Sequence, residues 1–384
     1  IALAPGDEIN GLTLGGVGSG TEIDYVEVFA NSDDGIEWFG GTVDVKHAVV
    51  AYCGDDAFDY DFGYRGRGQY WFSIQNDADD TGRAGEHDGA SPDGTSPFSQ
   101  PTIFNATYVG IGQNTFAPGG DSDDFAILFR DNAGGFYNNS LFMDFPSVAV
   151  AIEDIAGDVD ALGRLNANEL AFNNNFFFGF GAGNTAAELF IAVNSAEVQV
   201  ATSSDVAANF AARNNQLIDP VMQSIVDRDN FDPRPTPGGP ASNGAPAATD
   251  AFFDNVPYYG AFVPGNGPTN ETWMAGWTAF DQGGFLVLDI NNPQQADGFV
   301  FGAPVPNPAT NVATVEFELP RTAEVSIAVY DVMGRLVRNE LNERQFAAGL
   351  NRHNINVNGL PNGNYVVVLT AGNARLTQKM IVNR

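Results

Sequence analysis

The sequence predicts an all-β protein: a right-handed parallel β-helix with irregular insertions, followed by a small Ig-like antiparallel β-sandwich. Three observations lead there. The 384 residues include 44 Gly and 30 Phe, which sets turn formers between short apolar runs. An imperfect repeat with a period in the low twenties runs through residues 9–154, and a fixed period of that size marks a solenoid. The charge also changes near residue 300. Residues 1–300 hold 9 Lys/Arg and 42 Asp/Glu (net −33), residues 301–384 hold 8 and 6 (net +2), and the whole chain carries −31.

The repeat is clearest in two units, Thr21–Gly41 and Thr42–Asp61. Each has two short alternating strands around an Asp-Asp corner, and Asp34 and Asp56 fall 22 residues apart. Looser corners are Asp79-Asp80 and Asp123-Asp124. Inward residues of each coil are expected to stack on the next, with Gly or Asn at positive-φ corners. An antiparallel sandwich would need hairpin signals about every 8–12 residues, and these are scarce. Residues 77–101 and 110–124, rich in Asp, Gly, Ser and Pro, read as surface loops. Residues 158–170 and 203–215 have helical character, the second with Ser204 or Asp205 as N-cap. Phe176–Phe178 and Leu189–Val193 read as buried strands.

Three segments follow: a β-helix over 1–231, a Pro/Gly connector with an aromatic capping segment over 232–302, and a sandwich over 303–384. Residues 232–250 form a rigid irregular connector. The aromatic stretch Tyr258–Phe262 and Trp273–Trp277 is expected to cover an open end of the solenoid, because exposed coil edges invite aggregation. The chain opens on Ile1-Ala2-Leu3-Ala4-Pro5, without Met or a basic leader, and reads as a mature or partial chain that has lost its beginning.

Composition excludes several functions. An acidic surface repels nucleic acid and anionic lipid. No apolar stretch is long enough to span a bilayer as a helix. Cys53 is the only cysteine, so no intrachain disulfide forms, and its apolar setting predicts a buried inert thiol.

The tail carries ordered motifs: Pro306-Asn307-Pro308-Ala309, then Val325 to Tyr330-Asp331 and Gly334, then Gly349, then Gly363-Asn364-Tyr365, then Lys379 to Arg384. Alternation at Val325–Val329 and Tyr365–Leu369 predicts strands, with turns at Asp331–Gly334 and Pro361–Gly363. In order and spacing these blocks resemble the type A C-terminal sorting domain of the type IX secretion system in Bacteroidetes-like bacteria. The resemblance implies a secreted or cell-surface protein exported across the outer membrane. It implies partners too: an outer-membrane shuttle β-barrel, the translocon, a sortase-like peptidase that removes the domain, and surface lipopolysaccharide after processing. The terminal strand and Arg384 are expected to matter for recognition. Glu8–Gly20, Asn31–Thr42 and residues 260–278 are similar to a group of secreted β-helices of unsettled activity.

β-helices host polysaccharide lyases and hydrolases. A lyase needs a Lys or Arg base, and Lys46 is the only lysine ahead of the tail. A hydrolase needs paired carboxylates. Asp33, Asp34, Asp55, Asp56, Asp59 and Asp61 are expected to line up as a ladder on one face. Three readings stay open for it: turn formation by carboxylates that cap backbone N–H groups, a Ca²⁺ site bridging adjacent corners, and a glycosidase pair. His47, His87 and His353 are too dispersed for a zinc site, and His87 reads as a loop residue. No nucleotide-binding loop or serine elbow stands out. With no assembled catalytic set, the sequence favours an adhesin or binding scaffold, with a secreted carbohydrate-active enzyme as the alternative.

Overall fold

The computed structural model describes residues 9–75, 82–115, 125–155, 159–226, 231–266, 272–283, 285–286, 294–296, 299–331, 335–371 and 374–383. The corners Asp79-Asp80 and Asp123-Asp124 lie outside them. The chain forms two compact units, residues 1–226 with 233–266, and residues 227–232 with 267–384.

The first unit is a parallel β-helix. One sheet stacks β1 (Leu12–Gly15), β3 (Ile36–Phe39), β5 (Phe58–Asp61), β7 (Gly85–Asp88), β10 (Ile127–Arg130), β13 (Val150–Glu153) and β16 (Phe190–Val193) in that order. The second sheet begins with three long strands, β2 (Glu22–Phe29), β4 (Asp44–Ala51) and β6 (Arg67–Ile74). In later coils each becomes two short strands: β8 (Thr102–Phe104) with β9 (Thr107–Val109), β11 (Gly135–Asn138) with β12 (Leu141–Phe145), and β14 (Leu170–Asn173) with β15 (Phe176–Phe180). Among the described residues, the strand pairings in both sheets are parallel. Strand β7 falls inside the stretch expected to be a loop. Its Gly85 and His87 are buried, and the Asp/Gly-rich sequence on either side hides it.

Period-two alternation builds the core. Trp38, Tyr60, His87, Phe129 and Ile152 share one inward row, register partner to register partner. Trp38 lies 5.0 Å from Trp71, ring to ring, and Tyr137 lies 5.0 Å from Phe172. Burying each such side chain contributes about 1.5–3 kcal/mol, and stacked pairs add about 0.5–1.5 kcal/mol. The polar tips are satisfied inside: Trp71 Nε1 donates to the Val45 carbonyl at 3.0 Å and Tyr60 donates to that of Gly134 at 2.9 Å.

The bend within the second sheet needs left-handed backbone. Tyr25, His47, Tyr70, Asn105, Asn139 and Asn174 occupy it coil after coil, with φ between 47° and 60°. Asn tolerates that region readily. Tyr does not, at a cost of roughly 1–2 kcal/mol per residue. Here the expectation of Gly or Asn fails in the first three coils. The compensation is a ring stack, Tyr25 on His47 at 4.3 Å and His47 on Tyr70 at 4.9 Å, with His47 Nδ1 2.7 Å from Asp24.

Residues 250–262 run along the flank of the second sheet across several coils, whereas the sequence placed Tyr258–Phe262 over an end. Gln69 and the Asp254 backbone exchange two hydrogen bonds of 2.8 and 2.9 Å. Asn105 donates to the Tyr258 carbonyl, and Thr107 accepts from Ala261 N–H. Phe253 meets Phe104 and Phe262 meets Phe72. This strap satisfies buried Gln69, Asn105 and Thr107, a requirement no local pattern reveals. Gly260 sits where a Cβ would lie 2.6 Å from both Leu141 Cδ1 and Thr107 Oγ1.

Among the described residues, four short α-helices accompany the strands. Helix α1 (Ala161–Asn166) is capped by Asp160, and α2 (Ala186–Leu189) by Thr185 with Glu188. Helix α3 (Ser203–Ala211) starts one or two residues ahead of the expected cap, with Thr202 as N-cap. It packs on β16, and its Phe210 stacks on Phe190 at 4.3 Å and on Phe172 at 5.1 Å. Phe178 of β15 turns out to be exposed, unlike its neighbours. Strands β17 (Met222–Ser224) and β18 (Asp232–Pro235) form a small pair.

The second unit contains α4 (Ala279–Gln282) and two four-stranded antiparallel sheets. One orders β19 (Gln294–Ala296), β20 (Phe299–Phe301), β21 (Val312–Leu319) and β24 (Gly349–Asn356). The other orders β23 (Leu336–Phe346), β22 (Ala323–Asp331), β25 (Gly363–Ala371) and β26 (Ala374–Val382). Phe301, Val315, Phe317 and Ile355 of the first share a core with Val325, Ile327, Leu369 and Met380 of the second. Phe299 and Phe301 belong to this core although they precede residue 303.

Phe210 closes the last coil of the β-helix. Truncation in Phe210→Ala is expected to lower the unfolding free energy by about 3–5 kcal/mol, measured by denaturant titration, with early hydrogen exchange in β16.

Candidate functional site

The outward face of the first sheet is acidic. Alternation turns Asp59 and Asp61 outward from β5, and Glu86 and Asp88 outward from β7. Register sets Glu37 beside Asp59 and Asp59 beside Glu86. The turns before these strands add Asp33, Asp34, Asp55 and Asp56. Asp59 and Asp61 thus stand on this face with the four turn aspartates ahead of their strands, and Glu37, Glu86 and Asp88, which the sequence reading did not include, continue the row. Their signal was available, since Glu37 and Glu86 hold the place of Asp59 in Ile36-Glu37-Trp38 and Gly85-Glu86-His87. Reading it required aligning coils across an insertion.

Much of the ladder maintains the fold. Asp34 Oδ1 accepts from Asp56 N–H of the next coil at 3.1 Å, and Asp56 Oδ1 accepts from Arg83 N–H one coil further. Arg83 is buried and bonds both Glu86 and Glu197, the latter at 2.8 Å. Arg130 reaches Glu86 at 2.5 Å and Asp88 at 2.7 Å. Neither arginine figured among the expected site residues as a partner for this face.

The upper part of the ladder differs. Among the described residues no Lys or Arg pairs with Asp34, Glu37 or Asp59. Asn10 donates to Glu37, while Asp59 Oδ1 is buried without a hydrogen-bond partner. The carboxylate oxygens of Asp34, Glu37 and Asp59 lie within 4.8 Å of one another, as do those of Asp33, Asp34 and Asp55. Burial, then repulsion from Asp55, Glu37 and Asp33, pushes the Asp34 carboxyl up to about 8. Burial likewise raises Glu37 to about 7, against the Asn10 hydrogen bond. Asp56 and Asp59 are raised well above the usual range, chiefly by burial. Asp61 shifts the same way.

His87 is a core residue on β7, where the sequence suggested a loop. Its ring stacks on Tyr60 at 3.9 Å and its Nε2 lies 2.8 Å from the Tyr137 hydroxyl. Burial lowers its pKa to about 3, so it stays neutral. Cys53 is buried, and its thiol is pushed up to about 12 by that burial.

In the second unit, most of the motif residues shape turns. Asp331 accepts from Arg335 N–H and Nε at 2.9 Å each. Gly349 has φ 96°, a backbone a side chain would strain. Gly363 begins β25, and Tyr365 donates to the Pro361 carbonyl at 2.8 Å. Tyr330 is half-buried on β22. Pro306, Asn307 and Pro308 are exposed, and Asn307 lies against the terminal strand: its amide donates to the Lys379 carbonyl at 3.2 Å and accepts from Ile381 N–H at 2.7 Å. Gly334 and Arg384 lie outside the described residues.

A family model described as a pectate-lyase-like β-helix domain matches residues 1–227, more than half of the chain. The chain belongs to that family. A second model, a secretion system C-terminal sorting domain, matches residues 305–383. No curated protein matches the chain. The pectate-lyase-like β-helix is thus the passenger of a type IX secretion substrate, exported across the outer membrane to the cell surface or the extracellular space. Among the described residues no helix is long and apolar enough to cross a membrane.

The raised carboxyls fix a pH dependence. Asp34 and Glu37 titrate higher in the folded chain than in an unfolded one, so between their ordinary values near pH 4 and about pH 8 the folded state holds more protons. Stability therefore falls as pH rises through that window. The melting temperature of the β-helix is expected to decline from pH 5 to pH 8, and Asp34→Asn with Glu37→Gln should flatten the decline in calorimetric scans.

Proposed function

We propose that the passenger is a non-catalytic binding scaffold of adhesin type, delivered to the cell surface by its sorting domain. One observation carries this reading. Four carboxylates of the row are engaged in the fold, Asp34 and Asp56 on backbone amides of the next coil and Glu86 and Asp88 on arginines, which leaves Glu37 beside Asp59 as the one pair among the described residues that a hydrolase could use. The carboxyl groups beside them that no arginine pairs with would offer their oxygens to a cationic or cation-bridged ligand.

The uncompensated group Asp34, Glu37 and Asp59 supports two narrower proposals. It supplies hard carboxylate oxygens for Ca²⁺, which takes several such ligands. Asp33 and Asp55 would extend that site, with Asp56 and Asp61 held to the turn and strand beside it. The alternative activity, a secreted carbohydrate-active enzyme, draws on the same place, because Glu37 beside Asp59 is the closest approach to a carboxylate pair and the family description is pectate-lyase-like.

For the sorting domain, the proposed partners are the outer-membrane shuttle β-barrel and the translocon, then a sortase-like peptidase, with surface lipopolysaccharide as the attachment point.

Purified protein incubated with a panel of polysaccharides, with and without Ca²⁺, is expected to show no chain cleavage. Turnover lost in both Glu37→Gln and Asp59→Asn would replace the scaffold reading with the enzyme. Ca²⁺ is expected to bind with a Kd of roughly 10⁻⁴–10⁻³ M, as in extracellular modules, and to raise the melting temperature at pH 8. Asp59→Asn should abolish both effects in titration calorimetry.

A further inference from the structure

Strand β26 ends the sheet order β23-β22-β25-β26, so only β25 pairs with it inside that sheet. A terminal edge strand frays unless something holds it. Here the opening of the domain does. Asn307 bonds the Lys379 carbonyl and the Ile381 N–H through its side-chain amide. Ala309 N–H then donates to the Ile381 carbonyl at 2.7 Å, and Asn383 N–H donates to the Ala309 carbonyl at 3.1 Å. Residues 307–309 thus run parallel to the end of β26 and take up its outward backbone groups at 379, 381 and 383.

The residue types suit this task. A carboxamide resembles a peptide unit, with an acceptor oxygen and N–H donors in the same plane. Asp offers only acceptors and Ala offers neither. Pro306 and Pro308 lack N–H groups, so the clamping segment does not itself invite another strand. Ala309 is fully buried beside Val382 and anchors the segment in the core.

We propose that Asn307 is a positioning residue for export. The sorting signal is a two-part element, a terminal strand made readable only when the domain's own opening clamps it, 72–74 residues away in sequence. This inference rests on the reading that the export machinery recognises the terminal strand. The clamp delays presentation of the signal until both ends of the domain have folded.

The test uses the full chain expressed in its secreting host, with the exported fraction measured by immunoblot and amide exchange measured on the purified protein. In Asn307→Ala, exchange at Ala309, Ile381 and Asn383 is expected to rise by about tenfold, the scale of losing one or two hydrogen bonds. Export should fall to the level of a chain lacking residues 379–384. Ile355→Val, a core change in the partner sheet, controls for general destabilisation and should export normally at a similar melting temperature. The proposal is overturned if Asn307→Ala leaves these amides protected, if it loosens them yet exports like the parent, or if Ile355→Val is retained equally. Normal export of the chain lacking residues 379–384 would instead remove the underlying reading of the terminal strand, and the clamp with it.

Discussion

Parallel stacking in register is the constraint on which the β-helix depends. Successive coils repeat at the strand spacing, about 4.8 Å, so each position meets its own counterpart above and below. Whatever the sequence sets at one position of a coil it must tolerate as a column. Inside, the rule favours flat rings, and Trp38, Tyr60, His87 and Phe129 form such a column. At the bend, it lets Tyr25, His47 and Tyr70 share the strain of left-handed backbone through ring contacts.

Outside, the same rule sets carboxylate on carboxylate. The protein resolves most of that repulsion with hydrogen bonds and two arginines. Asp34 and Asp56 turn their oxygens onto the backbone of the following coil, so a potential liability joins one coil to the next. Arg83 and Arg130 neutralise the middle of the ladder. What remains is the Asp34–Glu37–Asp59 group, where burial without a cationic partner, with repulsion between the carboxylates added, raises their affinity for protons. Function is best sought where the fold leaves such a balance unresolved.

The second unit solves a different problem. Its strands pair antiparallel, and alternation divides Leu376, Met380 and Val382 from the outward Thr377 and Lys379. Of its motif residues, Asp331, Gly349 and Tyr365 secure turns, whereas Asn307 acts on another part of the chain. A motif list alone does not separate these roles, because both kinds occur at fixed spacing.

Local pattern determined much of this protein. Period-two alternation, the 22-residue step between Asp34 and Asp56, and the change of charge near residue 300 mark a parallel β-helix followed by a near-neutral β domain. The order of the tail motifs identified the sorting domain. The rest depended on contacts between distant segments. An insertion hid β7, and with it Glu86, Asp88 and the buried His87, because alternation over four residues is too short to stand out between polar stretches. Helix α3, rather than the aromatic segment, meets the last strand, since Phe210 completes a ring stack only assembled by folding. The strap and the Asn307 clamp were likewise decided in three dimensions. Alternation and turn chemistry are local and can be read along the chain, while the choice of partner for a buried polar group is made only once remote residues meet.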